Sequence, residues 1–216
     1  MPLRVLIVPD KFKGTLTAAA AANAIAEGWR RRRPEDMITL LPISDGGDGF
    51  GAVLAERLGA ERRTLKTVDA AHRPIQAHWW YDPHSGRALI EAAAINGLAQ
   101  LPPGHFHPFE LDTTGLGAVL KAAQEAGARE VLMGIGGSAT NDGGLGVAVA
   151  LGWRFFRADG SAFQPTLETV LAAVRMESPS HPLPEILVAC DGDDAAESGC
   201  FCSGRPPRGW NTGTGG

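Results

Sequence analysis

Three times along this chain a short apolar run breaks into a loop carrying glycine and charged residues, and a helical stretch follows. Residues 3–8 lead into Pro9-Asp10-Lys11-Phe12-Lys13-Gly14 and an alanine-rich stretch that ends near Arg32. Residues 37–41 lead into Ser44-Asp45-Gly46-Gly47-Asp48-Gly49 and a helical stretch to Leu58. Residues 130–133 lead into Gly134-Ile135-Gly136-Gly137-Ser138 and on through Thr140, Asn141 and Asp142 to a helix over 145–151. Short runs such as Leu3 to Val8 suit strands of a parallel sheet buried on both faces. Thr15 or Thr17 caps the first helix. The repeat is the α/β pattern, in which ligand loops sit at the carboxyl ends of the strands.

Between Arg62 and Glu91 the rhythm changes. Residues 62–68, 74–81 and 88–91 read as strands joined by short turns, so an antiparallel part, and with it a second domain, is expected to begin near residue 65. The α/β rhythm returns after the proline-bearing loop 102–108. Leu116, Val119, Leu120 and Ala123 form one helical face, while 153–157 and 186–190 supply further strands. With 216 residues, 44% of them hydrophobic and 20% charged, the chain has the composition of a soluble globular protein. The net charge of -4 argues against a protein that coats nucleic acid. Neither a leader nor an apolar run of the roughly 20 residues that span a bilayer is seen, so a cytoplasmic protein without a membrane partner is expected. The three cysteines, Cys190, Cys200 and Cys202, form no disulfide framework and no metal pair.

The glycine loops carry the chemistry. Glycines at 134, 136, 137, 143 and 144 let the backbone approach a ligand and present N–H groups to phosphate. A tight connection that is merely rich in glycine is the bland alternative, and Ser138, Thr140, Asn141 and Asp142 in the same span favour a site. The loop is neither a Walker A sequence nor a dinucleotide fingerprint. Phosphoryl transfer needs cations for phosphate oxygens, carboxylates for Mg²⁺ or a hydroxyl proton, and backbone amides for the phosphates. The loops at 9–14 and 44–49 add those cations and carboxylates. The histidines, His72, His78, His84, His105, His107 and His181, show no ligand spacing and are expected on surface loops.

With these residues in place, the sequence resembles the type I glycerate kinase family. The resemblance rests on PDKFKGTLTA at 9–18, PISDGGDG at 42–49, IEAAAINGL at 90–98, DTTGLG at 112–117, GIGGSATNDGGLG at 134–146 and VACD at 188–191, in that order. It implies ATP-dependent phosphorylation of D-glycerate, commonly to 2-phosphoglycerate, with Mg²⁺. The implied fold is two α/β domains: 1–65 as the first part of a parallel-sheet domain that is incomplete here, and 66–191 as an inserted second domain with a mixed sheet. Carried over position by position, the resemblance places Asp10, Lys13, Asp45, Gly46, Gly47, Asp48, Ser138, Thr140, Asn141, Asp142 and Asp191 around the cleft. The roles assigned on that basis put the Gly136, Gly137 and Ser138 amides and Lys13 on phosphate, Asp45 and Asp142 near Mg²⁺, and Asp191 or Asp10 as proton acceptor. Asp48 stands where the family usually has Glu, and Phe50 where it usually has Thr.

The resemblance stops after Asp191, and residues 192–216 show neither strand nor helix periodicity. Such a tail reads either as disorder or as a shifted frame. Gly199-Cys200-Phe201-Cys202 is encoded GGN-TGY-TTY-TGY, which read one base later permits Gly-Ala-Ser-Ala. Trp210-Asn211-Thr212-Gly213 shifted likewise permits Gly-Thr-Pro-Glu. Both shifted strings are similar to what the family carries after VACD. The expectation is therefore a truncated kinase with an open sheet edge and a bare apolar face, poorly soluble and weakly active or inactive. A non-catalytic remnant is the alternative function.

Overall fold

The computed structural model describes residues 1–12, 14–180 and 182–189. Lys13, His181, Cys190, Asp191 and the tail 192–216 with its shifted-frame reading lie outside the described residues. Among the described residues no helix is long and apolar enough to cross a membrane.

Strand β1 (Arg4–Ile7) runs parallel to β2 (Met37–Leu40), and α1 (Ala18–Arg32) connects them. Thr17 caps α1 by accepting the Ala20 N–H at 3.1 Å, and Arg30, Arg31 and Arg32 close its last turn where cations favour the helix dipole. The alanine face of α1 is what lets the helix lie close to the strands. Ala22 and Ala26 pack on Ile7, with Val5, Ile38 and Leu40 around them. Asp36 fastens the chain where it enters β2. Its carboxylate accepts the Leu3 N–H at 2.8 Å, the Trp29 indole N–H at 2.8 Å and the Arg33 guanidinium at 2.7 Å. The Arg33 hydrogen bond, more than any other contact, holds this carboxyl far below its usual range.

The sequence reads β1 as buried on both faces, and only one face is. Leu6 is 57% exposed, Val8 41% and Met37 59%, because α1 covers the opposite side and no further strand pairs with either β1 or β2 among the described residues.

The larger body is a five-stranded mixed sheet. After α2 (Phe50–Leu58) come β3 (Glu61–Val68), β4 (Pro74–Asp82) and β5 (Arg87–Glu91), an antiparallel meander. The chain continues through a single turn, α3 (Ala93–Asn96), to α4 (Thr114–Glu125), β6 (Glu130–Gly134) and α5 (Leu145–Ala150). A small antiparallel sheet of β7 (Arg154–Phe156), β8 (Ala162–Phe163) and β9 (Arg175–Glu177) follows, and then β10 (Glu185–Ala189). The strand order is β10-β6-β5-β4-β3, with β10, β6 and β5 parallel.

Alternation along β4 divides its faces. Ala77, Trp79 and Tyr81 join the main core with Leu116, Val119, Leu120 and Ala123 of α4. Trp80 points the other way, onto α2, where a Cβ at Gly51 would lie 2.0 Å from the indole. Thus α2, although it precedes residue 65, lies against β4 and β5. Helices α4 and α5 cross closely enough that a Cβ at Gly117 would lie 2.5 Å from that of Ala150.

Candidate active site

The parallel pairing of β5 and β6 places Glu91 opposite Gly134, so both strands end at the same level. The loops that follow them, 92–97 and 135–144, therefore leave the sheet side by side. On the smaller sheet, the Leu41 N–H donates to the Ile7 carbonyl at 2.8 Å and the Ile43 N–H to that of Pro9 at 3.1 Å, which keeps the loops after β1 and β2 together. Strand-end loops thus converge from both sheets, as α/β folds arrange for ligands.

Glycine makes the meeting possible. The Gly136 N–H donates to the Gly46 carbonyl at 3.2 Å. A Cβ at Gly134 would sit 2.3 Å from that same oxygen, and one at Gly136 would sit 3.0 Å from the Gly47 Cα. Backbone touches backbone with no room for a side chain. On the far side, Leu98 N–H donates to Gly137 O at 3.0 Å and Ala139 N–H to Asn96 O at 2.9 Å, a short ladder that fixes the glycine turn. Gly137 and Ser138 are exposed, and among the described residues neither of their N–H groups has an acceptor. The Ser138 and Thr140 hydroxyls lie 3.0 Å apart on the rim.

The charges gather in front of this turn. The Lys11 ammonium lies 3.0 Å from Asp45 Oδ1, which also accepts the Gly47 N–H at 2.8 Å. The Gly47 N–H, followed by Lys11, holds the Asp45 carboxyl below its ordinary value. Burial opposes the Lys11 charge, but the hydrogen bond and charge of Asp45, with Asp10 and Asp48 behind it, outweigh that and raise its pKa. Asp48 is exposed and faces Gly137, whose Cβ would lie 3.9 Å from Asp48 Oδ1.

Glu91 stands behind Asp48. It is 8% exposed, and its carboxylate accepts the Gly51 N–H at 3.1 Å, with the Gly49 N–H close enough to favour its charged form. Burial pushes its pKa above the ordinary glutamate value. The two N–H donors oppose that shift, Asp48 adds to it, and Lys11 partly offsets it.

Asp142 occupies a different setting. It is buried, and its Oδ2 accepts from the Thr113 N–H at 3.0 Å, the Thr113 hydroxyl at 2.8 Å and the Gly146 N–H at 2.9 Å. Its Oδ1 accepts from Gly144 N–H at 3.2 Å, and the Thr113 hydroxyl oxygen in turn accepts the Val147 N–H at 3.0 Å. One carboxylate thus ties the starts of α4 and α5 to the glycine loop.

Of the residues picked from sequence, Asp10, Asp45, Gly46, Gly47, Asp48, Gly136, Gly137, Ser138 and Thr140 lie on the loops that meet. Asn141 is exposed on the same loop, and Asp142 sits behind it. Lys13 and Asp191 lie outside the described residues. The sequence alone does not single out Glu91, Thr113 or the pairing of Lys11 with Asp45. A carboxylate on the last residue of an expected strand was the available signal for Glu91. Among the described residues no three His, Cys, Asp or Glu side chains cluster to hold a metal ion. Mg²⁺ asks for less, since one or two carboxylates and substrate phosphates suffice. Asp45 and Asp48, both exposed oxygen donors, fit it, and the open N–H groups of Gly137 and Ser138 fit a phosphate.

Residues 5–195 match the model of the glycerate kinase family. The chain is 36% identical over 160 residues to the glycerate 2-kinase of Escherichia coli K12, covering 74% of this chain and 42% of that protein. It is 33% identical over 194 residues to the glycerate kinase of Halalkalibacterium halodurans, covering 88% and 51%. A crystal structure described as a glycerate kinase 2 from Salmonella typhimurium LT2 superposes with a TM-score of 0.75 at 30% identity, over 88% of this chain and 52% of that one. The chain spans about half the length of the curated relatives it matches.

Proposed function

The chain belongs to the glycerate kinase family, and from that premise we propose that it serves a cytoplasmic, ATP-dependent phosphorylation of D-glycerate at its 2-hydroxyl. The observation that carries this reading is the backbone contact between the Ser44–Gly49 loop and the 134–138 turn. It brings the Lys11–Asp45 pair to the side of the open Gly137 and Ser138 N–H groups. Phosphoryl transfer is mostly positioning and charge stabilisation, and these are the groups it requires.

In this reading the Gly137 and Ser138 N–H groups and Lys11, with Lys13 on the same loop, hold phosphate oxygens. Asp45 and Asp48 hold Mg²⁺, which when bound neutralises charge on the transferred group. Asp10 or Asp191 accepts the proton of the glycerate hydroxyl. Asp142, placed near Mg²⁺ by the family resemblance, enters as an anchor, because both of its oxygens already accept N–H or O–H donors. Thr140 and Asn141 line the outer rim.

The test is ADP release from MgATP with and without D-glycerate, with the product's position read by phosphorus NMR. Glycerate-dependent release and a 2-phosphate signal are expected. Release that does not depend on glycerate would remove the reading. A non-catalytic chain is the second reading, favoured by the exposed Leu6, Val8 and Met37 on the two-stranded sheet. In that case neither ADP nor phosphoglycerate would form.

A further inference from the structure

Glu91 is a buried carboxylate in an unusual post. Helix α2 is preceded by Gly49, whose φ of 88° is a left-handed conformation and which has no side chain to cap the helix. Helix N-termini usually find that cap in a Ser, Thr, Asp or Asn of their own chain segment. Here it comes from 40 residues away, from the end of β5, as Glu91 accepts the Gly51 N–H at 3.1 Å and lies near that of Gly49. A cap alone does not explain the residue type. Burying a carboxylate is costly unless it is well bonded, and a neutral glutamine oxygen would cap one N–H at less expense. What the carboxylate adds is two acceptor oxygens and a negative charge facing Lys11 and Asp48.

The turn it holds is the one that delivers the site. Phe50 N–H closes back on Gly47 O at 3.0 Å, so the first turn of α2 and the Ser44–Gly49 loop move together. Trp80 fixes α2 from the sheet side at Gly51. Between the Gly46–Gly136 contact at one end and Trp80 at the other, Glu91 is the side chain that fastens the segment carrying Asp48.

We infer that Glu91 is a positioning residue: by holding the Gly51 N–H beside Gly49 it sets the Ser44–Gly49 loop, and with it Asp48 and Asp45, against the glycine turn at 136–138. The catalytic consequence rests on the kinase reading, whereas the anchoring does not.

The test uses Glu91→Gln in the full chain. Glutamine keeps the volume but can accept on one oxygen only. Amide hydrogen exchange at Gly49 and Gly51, measured by NMR without substrate, should quicken by about tenfold or more, while β3 and β4 amides keep their rates. In the ADP-release assay kcat should fall by about 10- to 100-fold while the glycerate KM stays within about twofold, the split expected when reacting groups are displaced but binding is not. Glu91→Asp, with a shorter arm and the same charge, should recover part of kcat, and it carries the same comparison if Glu91→Gln does not fold. Unchanged exchange at Gly49 and Gly51 would overturn the anchoring, and faster exchange with wild-type kcat would overturn the catalytic role. A wild-type chain without glycerate-dependent ADP release would instead overturn the kinase reading, and with it the catalytic half of this inference, while the exchange rates would still decide the anchoring half.

Discussion

Replacing Gly134 by alanine should injure this protein, whereas the same change at Gly28 should not. The new Cβ would lie 2.3 Å from the Gly46 carbonyl oxygen and 2.8 Å from the Phe50 ring. The first neighbour is backbone and cannot swing aside. To reach an ordinary contact the 44–49 loop must retreat by about 1 Å, a displacement of the kind that costs about 100-fold in rate when it moves reacting groups. Overpacking of a fixed site also costs about 1–3 kcal/mol of stability. Gly28 provides the control. It lies within α1, a Cβ there meets nothing within 4 Å, and its φ is not in the left-handed region. Gly28→Ala should therefore stabilise by about 0.5–1 kcal/mol and leave turnover alone. Urea unfolding monitored by tryptophan fluorescence gives the stabilities, and a coupled ADP assay gives kcat/KM. A Gly134→Ala chain with wild-type stability and turnover would refute the argument that backbone contact between the loops builds the site.

Further consequences follow from the charged groups. Lys11→Met should cost less than about 1 kcal/mol in stability, because the pair with Asp45 is partly exposed, yet lower turnover sharply at saturating glycerate, as steady-state kinetics would show. Thr113→Val removes the hydroxyl donor from the buried Asp142 carboxylate and should cost about 1–3 kcal/mol, read as a lower Tm. The folded chain holds the Asp45 and Asp69 carboxyls below their ordinary values, Asp69 because donors from Arg73 and Ala71 outweigh its burial. The stability they give should therefore be full above the unfolded value of 3.8 and fade as pH falls through their lower folded values. Glu91 runs the opposite way. Its pKa is raised above 4.5, so the advantage of wild type over Glu91→Gln in urea midpoint should be largest below that pH and shrink as pH rises through the folded value.

Much of this architecture can be read from residue patterns, and the exceptions have physical causes. The alternation in Pro74–Asp82, with Ala77, Trp79 and Tyr81 on one face, marks a half-buried strand, and its observed bounds extend the sequence reading by one residue. Leu116, Val119, Leu120 and Ala123 likewise mark the buried side of α4. The short pieces escape notice. Helix α3 spans Ala93–Asn96 and β8 spans Ala162–Phe163, too few residues for any period to show. In β1 the aliphatic run signals an apolar strand but not what covers it, so Leu6 is read as buried and is exposed. At the candidate site, the glycines announce close approach, and their contact partners follow from the fold. The partners of charged groups are long-range facts. Asp142 meets Thr113 at a separation of 29 residues, and Glu91 meets Gly51 at 40. Neither pairing leaves a trace in spacing, so a carboxylate that anchors helices looks in sequence like one that awaits a ligand.

Whether the joined loops carry phosphate from a nucleotide to glycerate is decided by transfer of the γ-³²P label of ATP to D-glycerate by the wild-type chain in the presence of Mg²⁺, with products separated by ion exchange. Labelled phosphoglycerate that disappears on omission of the chain or of Mg²⁺ is the predicted result. Label that remains in ATP, or that passes only to inorganic phosphate whether or not glycerate is present, would contradict it.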